Sequence, residues 1–263
     1  MWELILPFLG FLIAFVAVMI GVGGGVFVVP LLTLAYGFIP AHAVGTSLLV
    51  IIFGGFSATI GYSRHKLVFF KTGLLLAIAT VPGSIVGAYL TSVLSGAVLG
   101  LVFGAFLIAV AIRMILSNNL LRPKKPGAAD SKVIWSEPDV LANRRRFLAA
   151  FGLCFFGGLV SALLGIGGGL VFVPILSLVL LLPIHVVVAT SMFTMVFTSF
   201  AGVVQHWTLG NVNLEYGLLI AVGAVVGAQV GSWVCKRVSG EKLQVIFALA
   251  LILLSIQMIL KFI

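Results

Sequence analysis

Gly21-Val-Gly-Gly-Gly-Val-Phe-Val-Val-Pro30 and Gly165-Ile-Gly-Gly-Gly-Leu-Val-Phe-Val-Pro174 lie 144 positions apart and agree at six of ten places. The same shift lays Thr46-Ser47 on Thr190-Ser191, Gly83 on Gly227 and Gly87 on Gly231. Just ahead of the Thr-Ser pairs, Pro40-Ala-His42 faces Pro183-Ile-His185 with a one-residue slip, as a length change in a turn produces. One register running through both halves is the mark of an internal duplication.

Working outward, apolar runs fall at 4–20, 26–36, 42–61, 72–90 and 96–116, and again at 147–164, 170–182, 186–205, 215–235 and 242–262. The chain has 263 residues, of which 62% are hydrophobic and only 8% charged. An ordinary soluble domain is roughly a quarter charged, so a soluble globule is excluded. Ten of the 21 charges sit between Ser117 and Arg146, which leaves the apolar runs almost bare. Runs of about 18 residues or more with few charges cross the hydrocarbon layer as helices. The reading is an all-α polytopic membrane protein: a first repeat at 1–116, a polar linker at 117–146 and a second repeat at 147–263.

Val26–Tyr36 and Leu170–Leu182 are too short to span, rising only about 17 to 20 Å as helices. Each follows a triple glycine, a poor helix interior and a good place to break. Each half is therefore expected to hold a glycine-broken hairpin of helices plus about three spanning helices. Charge indicates orientation. Arg122-Pro-Lys-Lys125 and Arg144-Arg-Arg146 place the linker in the cytoplasm. Arg64, Lys66 and Lys71 follow the third run of the first half, whereas the matching stretch Thr208–Glu215 has no Lys or Arg. Lys236, Arg237 and Lys242 appear instead where the first half has the uncharged Thr91–Ser95. Such an exchange is expected of inverted repeats, the second copy lying upside down relative to the first.

The paired G-[VI]-G-G-G-x(4)-P segments, each followed by a Pro, a Thr-Ser and a small-residue helix, resemble the TauE/SafE family of sulfite and organosulfonate exporters, also called the toluenesulfonate uptake permease family. The resemblance covers nearly the whole chain. It implies a multi-pass protein of the cell inner membrane that carries a small anion, sulfite or a sulfonate, across the lipid bilayer.

An anion needs donors. A helix N-terminus offers unpaired N–H groups and a partial positive charge, so Gly23, Gly24 and Gly25, with Gly167, Gly168 and Gly169, are candidates to receive it; close helix packing is the alternative. Gly83, Gly87, Gly227 and Gly231, spaced by four, read as packing. His42 and His185 stand at equivalent helix starts and can donate to an anion in either protonation state. Thr46, Ser47, Thr190 and Ser191 offer hydroxyls, which could equally bond the carbonyl one turn back. Gln229 is a single amide in an apolar helix, facing substrate or another helix. His65 and His206, at segment ends, read as interfacial, as do Trp207 and Trp233.

No carboxylate lies centrally in any apolar run, which argues against a carboxylate proton relay, and no Walker lysine motif supports ATP hydrolysis. Cys154 and Cys235 have no disulfide or zinc spacing and read as small core residues. No cofactor, metal or nucleic-acid partner is expected, and a homo-oligomer is left open. The chain reads as a non-enzymatic secondary transporter working by alternating access, with an anion channel or facilitator as the alternative. An intramembrane hydrolase built on Gly45-Thr-Ser47 and a histidine ranks behind both, because a catalytic serine is needed once and this one recurs.

Overall fold

The computed structural model describes residues 5–120, 136–235 and 240–262. Arg122, Lys124, Lys125, Lys236 and Arg237 lie outside the described residues. The first half comprises α1 (Leu6–Ile20), α2 (Gly25–Pro30), α3 (Pro40–Ser63), α4 (Phe70–Val93) and α5 (Gly96–Leu120). After α6 (Glu137–Ala142) come α7 (Arg144–Leu164), α8 (Gly169–Pro174), α9 (Ile184–Thr208), α10 (Leu214–Val234) and α11 (Gly240–Phe262). No strand occurs among the described residues. Among the described residues, five helices, α3, α4, α7, α9 and α10, are long and apolar enough to cross a membrane.

The expected breaks are present. α1 stops on Gly21 at φ +84° and α7 on Gly165 at φ +67°, left-handed positions that disfavour any residue with a Cβ. Gly24 and Gly168, at φ +81° and +88°, then start α2 and α8. Each short helix ends on a proline, Pro30 or Pro174, and opens into a π-helical turn, Leu31–Ala35 or Ile175–Val179. Proline has no N–H for the helical ladder and crowds the preceding turn, so the backbone widens beside it.

The helices pair across the halves in matched fashion. α1 packs on α10 as α7 packs on α4, and α3 packs on α10 as α9 packs on α4. Glycines set these contacts at backbone distance. A Cβ at Gly227 or Gly231 would strike the backbone of Phe11 or Phe15, and one at Gly83 or Gly87 the backbone of Phe155 or Leu159, the positions 144 further on. Small residues allowing backbones to meet are the usual means of packing helices where lipid removes the hydrophobic drive.

Equivalent helices also pair with each other. α3 lies on α9 with Gly45 against His206 and Gly55 against Val196; α5 lies on α11 with Gly100 against Phe262 and Gly104 against Ile259. Both pairs are antiparallel. The outer faces carry exposed Phe8, Ile78, Phe156, Val222 and Trp233, as lipid-facing surfaces do.

The polar linker contains one helix that composition did not announce. In α6, the Glu137 carboxylate accepts from the Thr72 amide (2.8 Å), capping the start of α4. At the matching place in the second half, Asn213 Oδ1 accepts from the Tyr216 amide (3.2 Å).

Candidate functional site

The two glycine breaks lie against one another at the centre of the chain. A Cβ at Gly25 would land on the Gly165 carbonyl, and one at Gly169 on the Gly21 carbonyl. Gly23 and Gly167 both flank Ile51 and Met195, themselves related by the 144 shift and buried to 1% and 0% exposure. Glycine at 25 and 169 is thus required by the other half's backbone. Phe27 and Val171 amides bond back to the Gly24 and Gly168 carbonyls at 3.0 and 2.9 Å, so the amides of Gly25–Val26 and Gly169–Leu170 precede the first of these bonds.

Ser47 and Ser191 join the crossing. Ser47 Oγ donates toward the Val44 carbonyl (2.8 Å) and the Gly165 carbonyl (2.6 Å). Ser191 Oγ is 2.9 Å from the Val188 carbonyl and 3.5 Å from that of Gly21. Each serine therefore faces the last residue of the other half's first helix. Thr46 and Thr190, both fully buried, accept hydrogen bonds across the halves: Thr46 Oγ1 from the Asn213 amide (3.0 Å), Thr190 Oγ1 from the Phe69 amide (3.1 Å). They satisfy the opening residues of α10 and α4.

The other expected residues are apart from this centre. His42 is half-buried and His185 exposed, in the first turns of α3 and α9. Gln229 Nε2 donates to the Ser57 carbonyl (2.8 Å), linking α10 to α3.

His206 departs from its interfacial expectation, because it is fully buried, with Nε2 3.1 Å from the Ala162 carbonyl and Nδ1 3.5 Å from Asn211 Nδ2. A signal for this was available: the shift lays His206 on Tyr62, whose hydroxyl donates to the Val18 carbonyl (2.9 Å), the counterpart of Ala162. Tyrosine and histidine are chemically unlike, so the shared position stood out less than the glycines.

Beside the first break lies a void of about 10 Å³, lined by Gly23, Gly24, Val28, Val50, Gly54 and Ala224 among others. It holds about one water and offers an apolar wall. The breaks and the buried hydroxyls beside them thus form a tightly packed centre.

A bundle of apolar helices around two crossed glycine breaks defines a polytopic membrane protein. Residues 6–258 match the family described as Sulfite exporter TauE/SafE, and the chain belongs to that family. It is 34% identical to the probable membrane transporter protein YunE of Bacillus subtilis (strain 168), covering 97% of this chain and 96% of that protein. It is 28% identical to the probable membrane transporter protein MJ0441 of Methanocaldococcus jannaschii, covering 98% and 96%. Sulfite exporter TauE/SafE family protein 3 of Arabidopsis thaliana is 38% identical over 37% of this chain and 21% of its own length. No solved structure matches the chain.

Proposed function

We propose that this protein carries a small sulfur oxyanion, sulfite or an organic sulfonate, across the cell inner membrane by alternating access, around the crossing of its two glycine breaks. The observation that carries this reading is the mutual contact of the breaks, Gly25 on Gly165 and Gly169 on Gly21, which sets the two pre-helical segments side by side. The amides of such segments suit an anion, and Ser47 and Ser191 stand beside them. His42 and His185, about 7.5 and 9 Å along their helices from those serines, are the entry contacts. The family's description as a sulfite exporter supplies the substrate class.

The two halves, 1–116 and 147–263, are read as inverted repeats. Equivalent helices that pack antiparallel, α3 on α9 and α5 on α11, support a two-fold axis across the helices, lying in the membrane plane. With the linker 117–146 in the cytoplasm, α7 and α9 then both start from the cytoplasmic side, so α7–α8, and likewise α1–α2, enter and leave on one face. Gly24 folded back against Ala17 and Ile13 fits such a hairpin.

A carrier is favoured over an open channel because the void at the centre, about 10 Å³, excludes even a bare sulfite and admits it only after the halves move. The test is sulfite flux in liposomes containing the purified protein. A carrier gives saturable flux accelerated by sulfite on the opposite side; flux that rises linearly with concentration and ignores the opposite side identifies a channel.

A further inference from the structure

The two halves treat the space beside their glycine breaks in opposite ways. In the first half the void is lined by Val28, Val50, Gly54, Gly55 and Ala224, all without polar side chains. Shifted by 144, and back by 144 for Ala224, these positions become Phe172, Thr194, Thr198, Ser199 and Thr80. The matching positions thus carry four hydroxyls, and Phe172 stands among them in sequence register. Its ring lies against Gly168 and Gly157 and is 1% exposed.

The hydroxyls there are buried. Thr80 and Thr198 bond each other at 2.7 Å, and Thr194 and Thr198 also bond carbonyls of their own helix, those of Thr190 and Thr194. Ser199 Oγ and Ser161 Oγ are fully buried and have no hydrogen-bond partner among the described residues, a state they share with Thr33 Oγ1 and Thr72 Oγ1 elsewhere in the bundle. Ser161 corresponds to Ala17, which lies against Gly24 in the first half, so it stands one turn before the second break, on the side that Gly168 faces. Orphaned buried hydroxyls are uncommon because each forfeits its bonds to water. Two hydroxyl donors without acceptors in an apolar bundle are what a desolvated oxyanion requires.

We propose that the oxyanion-binding chamber lies on the second-half side of the crossing, with Ser161 and Ser199 as donors and Phe172 as the plug that occupies it in the closed state. The proposal rests on the transport reading above and names the residues that hold its substrate. When Phe172 rotates away, the sulfur oxyanion takes the ring's place and accepts from the two orphaned hydroxyls.

The experiment uses methanesulfonate as the protecting anion, because sulfite itself destroys methanethiosulfonates and cleaves disulfides. In a Cys154→Ala, Cys235→Ala background, Ser161→Cys and its counterpart Ala17→Cys are treated in liposomes with a sulfonate-bearing methanethiosulfonate reagent, with and without methanesulfonate. Methanesulfonate is expected to slow labelling at position 161 at least fivefold and to leave position 17 unchanged, while Phe172→Ala speeds labelling at 161 about tenfold. In parallel, Ser161→Ala and Ser199→Ala are each expected to raise the KM for sulfite about tenfold without lowering the melting temperature, since neither removes a protein hydrogen bond. If wild type carries methanesulfonate but position 161 is unprotected or never labelled, or carries sulfite while both serine variants keep wild-type KM, the chamber is overturned and the transport reading stands. Should wild type carry none of sulfite, methanesulfonate or taurine, the transport reading falls and the chamber with it.

Discussion

The two halves agree where they hold each other and differ where they face the central space. Thr46 and Thr190, Gly25 and Gly169, Tyr62 and His206 occupy matched positions and make matched backbone contacts. Val28 and Phe172, Gly54 and Thr198, Ala224 and Thr80 are matched positions with unlike chemistry. Contacts that keep the halves in register must be made twice. Contacts with a substrate need be made once, so the departures from symmetry are the informative places.

The largest effect concerns orientation, because it is all or none. Cysteines at Ser92 and Thr208, both exposed at the ends of α4 and α9, should react with a membrane-impermeant reagent from outside intact cells. Reaction at 208 from the cytoplasm alone would mean the halves lie parallel. Next come the matched glycines: Gly25→Ala and Gly169→Ala should each destabilise by about 3 kcal/mol, since the neighbour is backbone and cannot swing aside. Thermal unfolding in detergent measures both, and a loss at one position alone would break the equivalence. Thr46→Val and Thr190→Val should each lower stability by about 2 kcal/mol by orphaning the Asn213 or Phe69 amide.

Smaller differences sharpen the comparison. Ser47→Ala should cost about 1 kcal/mol and Ser191→Ala less, because the cross-half distances are 2.6 and 3.5 Å. Equal losses would show that the longer contact closes in the membrane. Smallest is Leu181→Gly. Leu181 sits at φ +56° where the first half has Gly37 at +71°, so glycine there should gain up to about 1 kcal/mol by relieving the left-handed backbone.

Much of this arrangement was legible in the sequence. The triple glycines and the prolines that follow them recur in one register, and backbone freedom is written directly into residue type. The apolar runs located α1 to α5 and α7 to α11 to within a few residues, once α2 and α8 are taken together with the π-helical turns that continue them, because hydropathy reports the length of chain that lipid accepts. α6 was not legible: six residues of a polar linker have no periodicity, and its reason for existing, Glu137 capping α4, is a contact across 65 positions. The hydroxyls of Thr46 and Thr190 announced polarity but not their partners, since spacing along one helix does not say which backbone faces it from the other half. His206 read as interfacial because its place near a segment end resembles a helix mouth, whereas the chain beyond it turns inward at Asn211, whose amide bonds the His206 carbonyl at 2.9 Å.

The central claim is that the crossed breaks carry a sulfur oxyanion between two closed sides. It is tested most directly by loading liposomes containing the purified protein with labelled sulfite and following efflux with and without unlabelled sulfite outside. Saturable efflux that speeds up when external sulfite is added is the expected result. Efflux no faster than from empty liposomes, for sulfite and for simple sulfonates alike, would contradict it.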